Sequence, residues 1–155
     1  MANFFGLDWE LYLSFRTNKD LGLFTMQSQS VVFRLLTGGY EANDSHSVEA
    51  DLGGYYTDAD FAVGTMVMYE PNGLHTERLA IESTGSITFT ANSETEAVYC
   101  ACMDMSGNLI AYVQLDEYAN SVSFGAATET LEVFINPSSP MYTQKTDDCP
   151  TGGGE

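Results

Sequence analysis

Only five basic residues oppose twenty-two acidic ones in this 155-residue chain, a formal net charge of −17. Phosphate-backbone binding needs clustered cations, and Arg16, Lys19, Arg34, Arg78 and Lys145 are scattered, so nucleic acids and anionic membrane surfaces are poor partners. With 44% apolar residues, no run near the ~20 residues of a membrane-spanning helix, and a length that buries roughly 70% of the unfolded surface, the expectation is one soluble domain with one core.

The start, "MANFFGLDWELYL", lacks the basic segment and long apolar stretch of a signal peptide, so export by that route is not expected. In "DWELYLSFR", Trp9, Leu11, Leu13 and Phe15 alternate with Glu10, Tyr12, Ser14 and Arg16, the period of a half-buried strand. "SVVFRLLTGG" places Val31, Phe33 and Leu35 opposite Val32, Arg34 and Leu36. Strands are expected next at 47–52, 61–70 and 74–82. "SITFTANS" turns Ile87, Phe89 and Ala91 inward and its threonines outward. Strands at 97–104 and 109–116 flank Ser106, Gly107 and Asn108, which suit a hairpin, and Leu131, Val133 and Ile135 mark a strand at 128–135. No stretch keeps helical spacing long enough for a globular helix.

Eight or nine short strands with closely spaced turns predict an all-β fold, an antiparallel β-sandwich or jelly roll over residues 1–136. After Asn136 the composition changes to three prolines and a glycine run. Residues 137–155 therefore read as an extended C-terminal arm whose deletion leaves the domain's melting temperature unchanged.

"GGYEANDSHSVEADLGGYYTDADF" holds Gly-Gly-Tyr twice, each followed by acidic residues. Asp51, Asp58 and Asp60, near Glu41, Asn43 and Asp44, offer oxygens of the kind calcium takes, but the Asp-x-Asp-x-Asp-Gly spacing of an EF-hand loop is missing. The plainer reading is two similar corners: glycines shaping tight turns and tyrosines capping the rim of the sandwich. Cys100 and Cys102 share a strand face, where buried apolar packing outweighs zinc binding, and Cys149 has no histidine beside it. An odd cysteine count and this geometry point to reduced thiols. His75 and Glu77 share a strand face, but nothing completes an acid–base pair or a metal site, and His46 sits alone in the acidic loop. No nucleophile elbow or phosphate loop is present. The expectation is a non-enzyme without catalytic residues or cofactor.

Short strands, many Gly, Ser, Thr and Tyr residues, few lysines, no export signal and the Pro/Gly arm together resemble virion structural proteins of tailed bacteriophages. Small size and acidity are most similar to capsid decoration (cement) proteins. That resemblance implies a protein made in the host cytoplasm that binds the outer capsid surface and clamps neighbouring major-capsid subunits, as a homo-oligomer with the trimer favoured. Acidity suits the outer surface, because an inner one faces packaged DNA. Contact candidates are the apolar groups outside the expected core: Phe4, Phe5, Pro137, Pro140, Met141 and Tyr142. The alternatives are a neck, tail or receptor-binding component of the phage, or a carbohydrate-binding sandwich, although Trp9 alternates with core residues and so makes a poor sugar platform.

Overall fold

Alternation along one strand sets the architecture: in a computed structural model Val31, Phe33 and Leu35 are buried on one side of a central strand, while Val32, Arg34 and Leu36 face the other. The structure describes residues 2–4, 8–20, 28–69, 76–82, 84–116, 118, 120–125, 129–136 and 140–145. In chain order the strands are β1 (Ala2–Phe4), β2 (Glu10–Leu11), β3 (Ser28–Leu36), β4 (Ala62–Tyr69), β5 (Thr76–Ile81) and β6 (Ser86–Phe89). They continue with β7 (Thr95–Ala97), β8 (Tyr99–Asp104), β9 (Leu109–Gln114), β10 (Val122–Phe124), β11 (Leu131–Phe134) and β12 (Tyr142–Lys145). One helix, α1 (Leu13–Asp20), follows β2, and a 3-10 turn spans Glu49–Leu52.

Seven strands form one antiparallel sheet in the order β12-β5-β4-β3-β8-β9-β2, accompanied by a three-stranded sheet β1-β11-β6 and a β10-β7 pair. The only departure from antiparallel pairing in this set is β1 beside β11. The fold is all-β and sandwich-like, as the alternation predicts, with twelve short strands among the described residues instead of eight or nine.

Register explains the core. Ala62, Phe33, Cys102, Ala111 and Leu11 are successive cross-strand partners on the inner face of the large sheet. Against this face pack Ile87 and Phe89 of β6 and Leu131 and Val133 of β11, with Trp9 and Phe15 closing the same core. Cys100 and Cys102 are free and fully buried within it, and burial pushes both thiols up, away from the reactive thiolate form.

On the outer face, Leu36, Ala101, Met103 and Leu109 form a second core with Tyr12, Tyr40 and Leu52. Residues 37–56, the Gly-Gly-Tyr segment, are its cover. The sheet thus has apolar layers on both sides, which is why Leu36 is as buried as its inward-facing neighbours.

Three expectations are corrected. The stretch 9–16 is not one strand: pairing stops after Leu11 and α1 begins at Leu13, which is exposed, while Tyr12 enters the outer core, Phe15 the inner one, and the Leu13 N–H donates to Asp44 O. Polar Ser14, Arg16, Thr17, Asn18, Lys19 and Asp20 give the segment no second apolar strand face. The expected strand at 47–52 is replaced by the 3-10 turn Glu49–Leu52, with Asp51 Oδ2 accepting the backbone N–H groups of the preceding Ser47 and Val48 at 2.8 and 3.1 Å. Finally, packing does not end at Asn136. Met141 is buried in the main core, its N–H donates to Leu79 O at 2.8 Å, and β12 pairs with β5 along Tyr142–Lys145.

The 106–108 hairpin is as expected: Gly107 adopts φ +86°, and Asp104 Oδ1 accepts the N–H groups of Ser106 and Asn108, both at 2.9 Å.

Candidate functional site

The cover of the outer face is built from the repeated phrase. The first Gly-Gly-Tyr turns Tyr40 into the second core, and the second turns Tyr55 outward. The two copies fit together: a Cβ on Gly39 would lie 2.6 Å from the Tyr55 ring, so glycine lets that ring lie flat on the backbone. Gly53 ends the 3-10 turn at φ +69°, a left-handed position that favours glycine. Of the two tyrosines expected at the rim, only Tyr55 is there.

Beneath the cover runs a hydrogen-bonded chain: Tyr12 Oη and Tyr40 Oη are 2.9 Å apart, and Tyr40 Oη is 2.8 Å from His46 Nδ1. Tyr112 packs on Tyr12 with ring centroids 4.9 Å apart, and Tyr99 meets Tyr40 edge-on at 5.6 Å. Burial, reinforced by the Tyr40 hydrogen bond, pushes the Tyr12 hydroxyl far above the ordinary tyrosine range, and burial raises Tyr40 as well. Unfolded tyrosines ionise near pH 10. The stabilisation is therefore complete below about pH 10 and is lost as pH rises from there toward the folded-state values, at roughly 1.4 kcal/mol per pH unit for Tyr12. Urea midpoints measured from pH 8 to 11 should fall steeply above 10 in the parent and less steeply in Tyr12→Phe. Equal slopes would show that Tyr12 ionises as easily folded as unfolded.

At the end of the cover lies an exposed apolar cluster that also holds a cation. Arg34 on β3 places its guanidinium carbon 3.7 Å from the Tyr56 ring centroid and 5.7 Å from that of Phe61. Its Nη1 is 3.9 Å from Glu49 Oε2, which accepts the Tyr56 hydroxyl at 3.0 Å. Phe61, just before β4, and Val63 within it, 55% and 54% exposed, extend the cluster outward, Val63 lying opposite Val32 of β3. Asp58 and Asp60, both exposed, precede Phe61 in the chain. The result is an open strip with an apolar centre, one guanidinium over the Tyr56 ring and near that of Phe61, and carboxylates at its margin. Such a strip is suited to surface contact, since the rings offer area and the clamped Arg34 has little rotamer freedom left to lose.

The calcium trio is not brought together. Asp51 caps the 3-10 turn, where the two N–H donors hold its carboxyl below the usual carboxylate range. Asp58 borders a separate recess with Glu94 and Glu96, and the Asp60 N–H donates to Thr90 O at 3.0 Å. Among the described residues, no three His, Cys, Asp or Glu side chains gather where they could hold a metal ion.

Of the contact candidates, Met141 is a core residue, Pro140 is half-buried, and Phe4 and Tyr142 are strand residues of β1 and β12. Phe5 and Pro137 lie outside the described residues, as do His75 and Cys149. Sequence reasoning passed over Arg34, Phe61 and Val63. The available signal was a lone cation between Val32 and Leu36 on a strand whose neighbour begins with alternating Phe61 and Val63. Among the described residues, no helix is long and apolar enough to cross a membrane. No protein-family model, curated protein or solved structure matches this chain.

Proposed function

We propose that this chain is a non-enzymatic structural protein of a virion, which binds the outer capsid surface and stabilises contacts between major-capsid subunits. The observation that carries the reading is the Arg34–Tyr56–Phe61–Val63 strip: an exposed apolar surface on a rigid sheet, in a chain of net charge −17. Apolar area supplies contact energy, and the surrounding negative charge favours a partner whose surface is basic around an apolar knob. The same charge keeps free copies apart in solution and suits an outer surface better than one facing packaged nucleic acid. Repetition over a symmetric shell would make many copies of one modest contact bind firmly. In this reading the partner-binding residues are Phe61 and Val63, with Arg34 as the polar anchor, beside the terminal candidates Phe4, Phe5, Pro137, Pro140 and Tyr142 expected from sequence.

Two measurements test this. Mass spectrometry of purified virions should find the chain in near-stoichiometric ratio to the shell protein, and gold labelling should place it on the outside of the head. Phe61→Asp and Val63→Asp, at exposed positions, should melt within about 2 °C of the parent yet bind stripped shells at least tenfold more weakly. Label on the neck or tail, or full binding by both variants, would overturn the proposal.

A further inference from the structure

The Tyr12–Tyr40–His46 chain has a direction, and that direction depends on a proton. Tyr12 is fully buried and Tyr40 nearly so, whereas His46 is half-buried on a cavity of 280 Å³ that Tyr40, Glu41, Asn43 and Asp51 also line. All hydroxyls are satisfied in one arrangement: Tyr12 donates to Tyr40, Tyr40 donates to Nδ1 of His46, and the imidazole carries its proton on Nε2. The reverse arrangement starts from an N–H at Nδ1. The backbone N–H of Asn43 already donates to Tyr40, so a second donor at His46 Nδ1 takes the remaining lone pair of Tyr40 Oη; Tyr40 then donates to Tyr12, and the Tyr12 O–H is left in the second core without an acceptor among the described residues. An imidazolium always carries a proton on Nδ1, so it always enforces the reverse.

We propose that this chain is a proton-operated latch: neutral His46 holds residues 37–56 down on the outer sheet face, and protonated His46 releases them. The idea is independent of the virion reading, since it rests on the buried chain and not on the exposed strip.

Charges around the imidazole act in the opposite sense and must be weighed. From its own segment come Asp51 and Glu41, which line the same cavity, and Asp44, which pairs with Arg16 of α1 at 2.9 Å; on the sheet side, Glu10 faces Tyr112, and Tyr99 and Tyr112 face the Tyr40 and Tyr12 rings of the chain. Asp51 is close enough to His46 for their charges to interact. Asp51, Glu41 and Asp44 are exposed, however, Asp51 already accepts two N–H donors and Asp44 is engaged by Arg16. Attraction across solvent is worth less than a buried hydroxyl stripped of its acceptor, so the latch opens on protonation. Opening would bare Leu36, Ala101, Met103 and Leu109, the apolar face that the segment covers.

Amide hydrogen exchange of the full chain, corrected for intrinsic rates, tests the latch at pH 7.5 and pH 5, either side of the range in which histidines commonly take up a proton. Protection of residues 37–56 should fall about tenfold at pH 5, the equilibrium equivalent of one buried hydroxyl losing its acceptor, while amides in the β3–β8 ladder keep theirs. His46→Gln, which retains an acceptor but does not titrate, should show equal protection at both pH values. Tyr12→Phe, in which reversal strands no hydroxyl, should also lose most of the difference, and Asp51→Asn should keep it. Equal protection in the parent at both pH values, or an undiminished fall in both His46→Gln and Tyr12→Phe, would overturn the proposal.

Discussion

Replacing Phe89 with alanine should cost the domain about 3 kcal/mol, from lost apolar contact plus the cavity left behind. Phe89 is 1% exposed, sits opposite Leu131 in the β6–β11 ladder, and presses from the small sheet onto the inner face of the large one. It lies between two sheets whose backbones are each held by their own ladders, so the site can collapse only partly around the missing ring. For a chain of this size the loss corresponds to a fall of about 10 °C in melting temperature. Leu11→Ala should cost less than half as much, because Leu11 is only partly buried on the two-residue edge strand β2. Thermal melts followed by circular dichroism would check both. A Phe89→Ala variant that melts within 2 °C of the parent would mean that β6 does not present this face to the core.

Phe89 was legible because four residues of strict alternation, from Ser86 to Phe89, have one apolar and one polar side. β3, β4 and the β8–β9 hairpin were legible instead from apolar or alternating runs, which in β3, β8 and β9 are buried on both faces of the sheet, and the hairpin turn also carries its own glycine and Asx signals. Alternation misled at residues 9–16, where Trp9, Leu11, Leu13 and Phe15 satisfy period two and Tyr12 with Phe15 satisfy the i, i+3 spacing of a helix. What decides between them is remote: the Leu13 N–H donates to Asp44 O, and the Arg16 guanidinium pairs with the Asp44 carboxylate, both 28 or more residues away. Nothing local encodes that choice.

The candidate site was less legible still, for a related reason. Arg34, Glu49, Tyr56 and Phe61 come from a strand, a turn and a loop end, and only the fold brings their side chains together. His46 looked isolated because its partner, Tyr40, reads as a rim residue until the segment closes over the sheet. The acidic residues, by contrast, drew attention by number alone, and the structure spreads them over separate turns and recesses.

Removing residues 137–155 should destabilise the domain, contrary to what composition suggests for a Pro/Gly-rich tail. Met141 is 2% exposed within the main core, and its N–H bonds to Leu79 O at 2.8 Å. Four residues beyond it form β12, paired with β5 from Tyr142 opposite Leu79 to Lys145 opposite Thr76. Deletion therefore takes away one buried methionine, worth about 2–5 kcal/mol as a truncation to alanine, together with the outermost ladder of the seven-stranded sheet. It also turns β5 into a bare edge with unpaired N–H and C=O groups, a template for association with other chains. The shortened chain should melt about 10 °C lower and form soluble oligomers by size exclusion at concentrations where the parent does not. Met141→Ala alone should reproduce much of the thermal loss without the oligomers, because β12 still covers the edge. If the shortened chain melts with the parent and elutes as it does, then Met141 and β12 contribute nothing to the fold and the segment is the dispensable arm that its prolines and glycines imply.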